Sequence, residues 1–130
     1  MERSGAHLTP AACWELLATA TVGRIALSVR ALPAIVPVRY LVDEPAVAIN
    51  LGRPGLPEAT VHDAVVAFAV DAIDVETASG WMVQMQGWTK IAPFSGPGDP
   101  GPSTGDQVLR LVPAMVTGHR FTLEPFTSLR

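Results

Sequence analysis

The stretch Val22–Asp43 decides the predicted fold, and it reads V-G-R-I-A-L-S-V-R-A-L-P-A-I-V-P-V-R-Y-L-V-D. Two apolar runs flank a short turn at 30–33, which is typical of two antiparallel strands joined by a tight connection. The first run, 24–29, alternates apolar residues with polar or small ones and predicts a strand with one buried face. The second run, 34–42, is apolar on both faces, which predicts a central strand covered on both sides.

The second run contains two residues that a central strand does not ordinarily hold. Pro37 has no N–H to donate to a β ladder, and Arg39 is a cation among apolar neighbours. Residues that break local rules inside an otherwise regular pattern are typical of functional sites. We therefore take Pro37 and Arg39 as the first candidate site residues.

The chain is rich in apolar residues and poor in charged ones. Of its 130 residues, 48% are apolar and only 16% are charged, and the net charge is −3. A chain of this length forms one domain, 1–130, around one core. So few charges leave apolar surface exposed on a single copy, and such surface marks an interface. We therefore expect a homodimer.

The same sequence excludes several classes of function. Lys90 is its single lysine and no basic run is present, so it offers no patch that would neutralise nucleic-acid phosphates. No apolar run reaches the roughly 20 residues of a membrane span, and no signal pattern stands at the N-terminus. The single cysteine, Cys13, is interpreted as a small buried apolar residue. We expect a cytoplasmic protein.

No motif for a metal or for acid–base catalysis is present. His7, His62 and His119 are far apart in the sequence, and no H-E-x-x-H, G-x-S-x-G, phosphate-loop or dinucleotide-binding pattern occurs. Asp71 and Asp74 end a predicted strand, so we interpret them as solvated turn carboxylates. We predict no metal site and name no catalytic residue.

The rest of the chain predicts one N-terminal helix, a short middle helix and further strands. Thr9 and Pro10 are the cap and first residue of the first helix, which Gly23 should end by about Val22. The middle helix is predicted at 57–63. Further strands are predicted at 46–50, 65–72, 81–91, 108–112 and 115–117, and irregular segments at 1–8, 94–105 and 122–130. Six or seven strands with frequent turns indicate a mainly β domain with a closed or sandwiched antiparallel sheet.

One predicted strand carries polar and aromatic side chains that need partners. Gln84 and Gln86 share a face, and a ligand edge or a partner subunit could satisfy their amides. Trp81 and Trp88 lie on opposite faces of a regular strand, so one fills the core and the other an interface, or one flanks a planar ligand. Gly87, between them, predicts a bulge or a close backbone approach.

Taken in order, these segments resemble the pyridoxamine 5′-phosphate oxidase-like family of flavin-binding split β-barrels, its small actinobacterial members in particular. The resemblance lies in V-G-R-I-A-L followed by P-A-I-V-P-V-R-Y-L-V-D, then V-V-A-F-A-V-D, G-W-M-V-Q-M-Q-G-W-T-K and V-T-G-H-R-F. It covers about 10–121. It implies a six-stranded antiparallel split β-barrel with an N-terminal helix and one short middle helix. It also implies a homodimer with two ligand grooves at the interface.

The resemblance further implies a cofactor and an activity. Members of the family typically bind FMN, which implies an oxidoreductase that transfers a hydride to or from a small-molecule substrate. Some members bind the deazaflavin coenzyme F-420, so a reductase that uses it is an alternative. The implied cofactor-binding residues are Pro37, Val38, Arg39, Tyr40, Asn50, Arg53, Gly55, Trp81, Gln86 and Arg120.

The chain departs from the family pattern at the implied phosphate site. Leu51 stands where members have Thr or Ser, and Leu56 stands at or beside the position of a lysine. A phosphate requires cations and hydrogen-bond donors, which here would come from Arg39, Arg53 and the backbone amides around Gly55. A non-catalytic split-barrel dimer that has lost FMN is therefore a further alternative.

Overall fold

The computed structural model describes residues 6–50, 62–93 and 107–126. These residues form the helix α1 Pro10–Leu17 and the strands β1 Val22–Val29, β2 Leu32–Asp43, β3 Ala46–Asn50, β4 Val65–Asp74, β5 Ser79–Pro93 and β6 Gln107–Thr122. All neighbouring strands are antiparallel, and the sheet closes in the order β1-β2-β3-β6-β5-β4. The predicted mainly β, six-stranded antiparallel barrel with an N-terminal helix is confirmed. The predicted middle helix and the predicted loop at 94–105 fall almost entirely outside the described residues.

Helix α1 is shorter than the sequence predicts. Thr9 caps it as expected, because its hydroxyl accepts a backbone N–H of the first turn at 3.1 Å. The helix ends at Leu17, however, and Gly23 lies inside β1 instead of ending the helix. A Cβ at Gly23 would lie 2.5 Å from the Phe68 ring. The glycine is therefore required by strand packing, and its prediction as a helix end was wrong.

The barrel encloses a continuous apolar core. The alternation predicted for β1 is confirmed, since Ile25 and Leu27 point inward and are buried. Helix α1 adds Cys13 and Leu17, each at most 1% exposed. Burial raises the pKa of the Cys13 thiol, so the predicted role of Cys13 as a small buried apolar residue is confirmed. Each fully buried aliphatic side chain contributes roughly 1.5–3 kcal/mol to folding.

Strand β2 differs from its prediction as a strand covered on both sides. Val36, Val38 and Tyr40 face the core, but Ile35 on the opposite face is 70% exposed. The two apolar faces of this strand therefore differ in burial. One packs into the barrel, and the other is left uncovered by the described part of the chain.

Pro37 lies where the ladder needs no N–H. The Tyr40 N–H donates to the Thr21 carbonyl at 3.0 Å, and hydrogen-bonded pairs alternate along antiparallel strands. The Tyr40–Thr21 pair is therefore hydrogen-bonded, and so is every second pair before it. The Pro37–Arg24 pair lies between two such pairs, so the nitrogen of Pro37 points away from β1. Among the described residues, β3 pairs with 40–43 of β2 only. Pro37 thus faces a strand edge that no described residue pairs with, and proline is tolerated at such an edge.

Strand β6 is one continuous strand. The prediction of two separate strands, at 108–112 and 115–117 on either side of Pro113, was wrong. The chain accommodates this proline in a bulge, where the register of β5 with β6 shifts between Gln86 and Gly87. A Cβ at Gly87 would lie 2.2 Å from the Val112 carbonyl oxygen. The bulge and close approach predicted at Gly87 are both confirmed.

Candidate functional site

The registers of five strands define a surface on the outside of the barrel. Cross-strand partners share a face of the sheet, so the paired residues can be followed in rows across the strands. The row Pro37, Arg24, Ala69, Gln84 and Thr117 lies beside the row Ile35, Ala26, Ala67, Gln86 and Met115. These ten residues of β2, β1, β4, β5 and β6 are called the outer face below.

The outer face is apolar and open at its borders. Ile35 is 70% exposed and Met115 is 59% exposed, and small alanines lie between them. The apolar area continues next to Met115 and Gln86 with Trp88 and Val65, each 61% exposed and paired with one another. Contiguous exposed apolar surface marks an interaction site on a soluble protein. The expected exposure of apolar surface on a single copy is confirmed.

Two amides lie within this apolar surface. Gln84 and Gln86 are half-buried on β5, and no hydrogen bond joins either side chain to another described residue. Each amide carries two donor hydrogens and an acceptor oxygen. They are the groups with which the outer face would recognise the polar edge of a ligand or partner.

Asp71 and Asp74 were both predicted to be solvated turn carboxylates, and only Asp74 is one. Asp74 lies at the end of β4, and its side chain accepts the Glu76 N–H of the following turn at 2.9 Å. Asp71 instead lies inside β4 and forms an ion pair with Arg24 of the outer face, at 3.7 Å. Both partners of this pair are partly exposed, so it contributes at most about 1 kcal/mol.

Strand alternation divides the implied cofactor-binding residues 37–40 between two sides of β2. Pro37 and Arg39 are exposed on the outside of the barrel, whereas Val38 and Tyr40 point to the core. Residues adjacent along a strand cannot line the same surface. Only the odd-numbered half of the segment therefore borders the outer face.

Tyr40 is bound into the core. Its side chain is 4% exposed, and its hydroxyl donates to the Leu17 carbonyl oxygen at 2.5 Å. Its ring packs edge-on against Phe68, with the centroids 5.2 Å apart. Burial raises the pKa of Tyr40 to about 12. Tyr40 thus connects the end of α1 to the strand that carries Pro37 and Arg39.

The strand ends bring two predicted site residues together. The β2–β3 register, continued one residue beyond its last pair, places Arg39 opposite Asn50. Both residues are exposed, and Arg39 forms no ion pair with any of the residues described. A guanidinium beside an amide suits an anion such as a phosphate. Arg53 and Gly55, which complete the predicted phosphate site, lie outside the described residues.

The structure separates the three remaining predicted residues. Gln86 lies on the outer face. Trp81 points inward and packs against the core. Arg120 is the β6 partner of Trp81 and is exposed, and its backbone pairs with Ala6. One copy of the chain therefore brings Gln86, but not Trp81 or Arg120, onto the same surface as Pro37.

Sequence reasoning did not identify Ile35 or Met115 as members of this site. Their relation depends on the registers across four strand pairs, which hydrophobic alternation cannot supply. A signal was nevertheless present, because both residues alternate with core residues along their strands and so belong to an exposed apolar face.

In the ranges 6–50, 62–93 and 107–126, no group of three His, Cys, Asp or Glu could hold a metal ion. No helix within these ranges is long and apolar enough to cross a membrane.

The six antiparallel strands and their order in the barrel are those of a split β-barrel. Residues 9–92, more than half of the chain, match the family model described as pyridoxamine 5′-phosphate oxidase. The chain belongs to this family, as its resemblance implied. The search of curated proteins gives no match.

Solved structures with the same barrel come from several bacteria. A FAD-binding protein from Mycobacterium smegmatis is 24% identical, with a TM-score of 0.72 over 91% of this chain and 99% of that one. A FAD-binding protein from Mesorhizobium loti is 17% identical, with a TM-score of 0.71 over 94% and 100% of the two chains. A putative pyridoxamine 5′-phosphate oxidase from Corynebacterium glutamicum is 21% identical, with a TM-score of 0.68 over 96% and 99%. At these identities the likeness shows a shared fold.

Proposed function

We propose that this chain is a flavin-dependent oxidoreductase that works as a homodimer and binds its cofactor at the outer face. The observation that carries the proposal is the outer face itself, an exposed apolar surface with two amides that have no described partner. A second copy of the chain and a planar ligand would cover it. Membership of the pyridoxamine 5′-phosphate oxidase family, and the FAD-binding proteins that share the fold, support the same proposal.

The residues of the outer face fit a flavin. A flavin ring is flat, with apolar faces and a polar edge that donates and accepts hydrogen bonds. Ile35 and Met115 offer apolar contact, and Gln84 and Gln86 offer hydrogen bonds. Arg39, at the border of this surface, offers a cation to the phosphate.

The protein's part in the reaction is to bind and to orient. A bound flavin supplies the hydride or electron transfer, so the absence of an obvious acid or base in the sequence is compatible with this activity. The amides would fix the orientation of the ring, and the apolar residues of two copies would exclude water from it. The substrate would be a small molecule that reaches the ring from the solvent side.

We place FMN first among the possible cofactors. Arg39, exposed where the β2–β3 pairing ends, offers one cation, which suits the single phosphate of FMN. FAD comes second, because it is named for two proteins with the same fold. The deazaflavin coenzyme F-420 has a similar ring and a phosphate, so the same residues would also serve it.

A second candidate function is a split-barrel dimer that has lost its flavin. Leu51 and Leu56 favour it, because neither can hold a phosphate at the positions where relatives carry a hydroxyl and a lysine. In that case the outer face would serve association of the two copies alone.

The proposal is tested by absorbance in the flavin bands and by titration of the purified protein with FMN and, separately, FAD. We expect one flavin per chain. Arg39→Gln should weaken binding by about tenfold to a hundredfold, since a hydrogen bond to a charged group contributes about 1.5–3 kcal/mol.

The matched control is Arg30→Gln, which makes the same change at an exposed arginine in the β1–β2 turn. It should leave the affinity unchanged. A colourless protein that binds neither flavin at high micromolar concentration would contradict the proposal and leave the flavin-free dimer. Equal losses in both variants would remove Arg39 from the phosphate site.

A further inference from the structure

The residues that precede β4 extend its pairing with β5. The Asp63 N–H donates to the Thr89 carbonyl at 3.0 Å, and the Thr89 N–H donates to the Ala64 carbonyl at 3.0 Å. The buried Thr89 hydroxyl also donates to the Ala64 carbonyl and accepts the Ala64 N–H, both at 3.0 Å. None of these groups changes its charge between acid and neutral pH.

The next bond of this ladder is of a different kind. The Ile91 N–H donates to the Nδ1 atom of His62 at 3.0 Å, where a regular ladder would use a backbone carbonyl. A neutral imidazole has one acceptor nitrogen, and a protonated imidazole has none. The bond between Ile91 and His62 therefore exists only while the Nδ1 atom of His62 carries no proton.

The charges around His62 favour another position for a protonated ring. The Nε2 atom of His62 lies 3.6 Å from the Asp63 carboxylate, which also binds the Lys90 ammonium at 2.5 Å. On the neighbouring strand, Arg110 is the partner of Lys90 and is already paired with Asp43. Asp63 is thus the nearest anion to His62 among the described residues.

Asp63 keeps its charge over the range in which a histidine titrates. The hydrogen bond from Lys90 lowers the pKa of the Asp63 carboxyl, helped by the positive charges of Lys90 and His62. The carboxylate that would attract a protonated imidazole therefore stays charged in mild acid.

We propose that His62 is a pH-sensitive latch on the β4–β5 pair. On protonation the ring leaves the Ile91 N–H and moves to the Asp63 carboxylate. The Ile91 amide is then exposed to water, while the bonds of Asp63 and Ala64 to Thr89 remain. Histidine is the side chain whose charge ordinarily changes between about pH 5 and 8, so the proposal is tested across this range.

Amide hydrogen exchange of the full chain, followed by NMR, tests the latch. Protection factors, which correct for the intrinsic pH dependence of exchange, are compared at about pH 8 and about pH 5. The protection of the Ile91 amide should fall about fivefold in acid, the expected contribution of one hydrogen bond. The Thr89 amide, bound to a backbone carbonyl two residues away, should keep its protection.

Two variants separate the latch from a general loosening of the fold. His62→Asn keeps an acceptor atom near the position of Nδ1 but cannot titrate, so it should abolish the acid effect on Ile91. His7→Asn makes the same change at an exposed histidine elsewhere and should retain the effect. Unchanged protection of Ile91 in the wild type, or an equal fall in His62→Asn, would overturn the proposal.

Discussion

The outside of this barrel has two regions that are built in opposite ways. Where β3 lies between β2 and β6, the chain covers its own sheet. Asp43 of β2 and Arg110 of β6 form an ion pair at 2.7 Å across β3. The Ala46 and Ala48 side chains, their register partners on β3, are 0% and 5% exposed. On the outer face no described side chain covers Ile35, which is 70% exposed.

The difference shows that this chain can bury part of an exterior sheet surface with its own residues, although Leu41, the β2 partner of Ala48, is 43% exposed. Around β3, two buried alanines lie between the ion-paired side chains of Asp43 and Arg110. The outer face has alanines too, but large apolar side chains and amides surround them. Exposed apolar surface of this kind marks interaction sites, and this is why the proposed function is placed there.

The largest expected effect comes from placing a charge on the outer face. Ile35→Glu should leave the barrel folded, because surface substitutions usually change stability by less than about 0.5 kcal/mol. It should raise the dissociation constant of the proposed dimer at least about a hundredfold, because burial of an unpaired carboxylate costs several kcal/mol. Sedimentation velocity over a concentration series measures the change.

Val75→Glu is the control for this substitution. Val75 is 87% exposed in the β4–β5 turn, away from the outer face, so the dimer should persist. If Ile35→Glu dissociates no more readily than Val75→Glu, the outer face is not the interface.

The next prediction concerns Tyr40, on the inner side of β2, and the dependence of stability on pH. Burial raises the pKa of Tyr40 to about 12, above the ordinary value of about 10 for a phenol. Because the folded state holds this proton more tightly, the stabilisation is complete below about pH 10 and is lost as the pH rises toward about 12. Urea unfolding along this range should show a loss of about 2 kcal/mol.

Tyr40→Phe identifies the source of that loss. The variant keeps the edge-on contact with Phe68 but has no hydroxyl, so its stability should decline less between the same pH values. A decline as steep as that of the wild type would assign the effect to other groups, such as the lysine and the cysteine.

A smaller effect is expected at the amides of the outer face. Gln86→Leu should weaken flavin binding about fivefold, because one hydrogen bond is worth roughly 1 kcal/mol, with little change in the free energy of unfolding. Calorimetric titration of Gln86→Leu and Gln84→Leu compares the two positions. If both variants bind as the wild type does, the amides do not contact the ring.

The smallest effect is expected where the chain covers itself. Arg110→Ala should uncover Ala48 and lower stability by less than about 1 kcal/mol, since both partners of the ion pair are partly exposed. The control is Arg120→Ala, an exposed arginine of the same strand without an ion pair in the described part of the chain. Thermal unfolding of the two variants should differ, and equal midpoints would show that the pair does not stabilise this region.

Much of the fold was predictable because it rests on local patterns. Alternation predicted the strands, and Gly87 predicted the bulge, since each of these features depends on residues close in sequence. Gly23 was wrongly predicted to end the helix, because a glycine required by strand packing has the same sequence signal as a glycine that ends a helix. The contact that decides between them comes from Phe68, on another strand.

The candidate site was only partly predictable for the same physical reason. Pro37 and Arg39 disturb their own strand, so they could be identified by reading it alone. Tyr40 could not be assigned to the core before the position of Leu17 was known, because its hydroxyl needs a distant carbonyl. The row from Ile35 to Met115 likewise requires registers between strands that are far apart in the chain.

A native mass spectrum of the purified protein, with FMN or FAD added, tests the central claim most directly. The outer face is proposed to hold both a second copy and a flavin, so the predicted species contains two chains and two flavins. Ile35→Glu should shift the spectrum to single chains that carry none. A wild-type spectrum of single chains without flavin, at protein and flavin concentrations in the high micromolar range, would contradict the account.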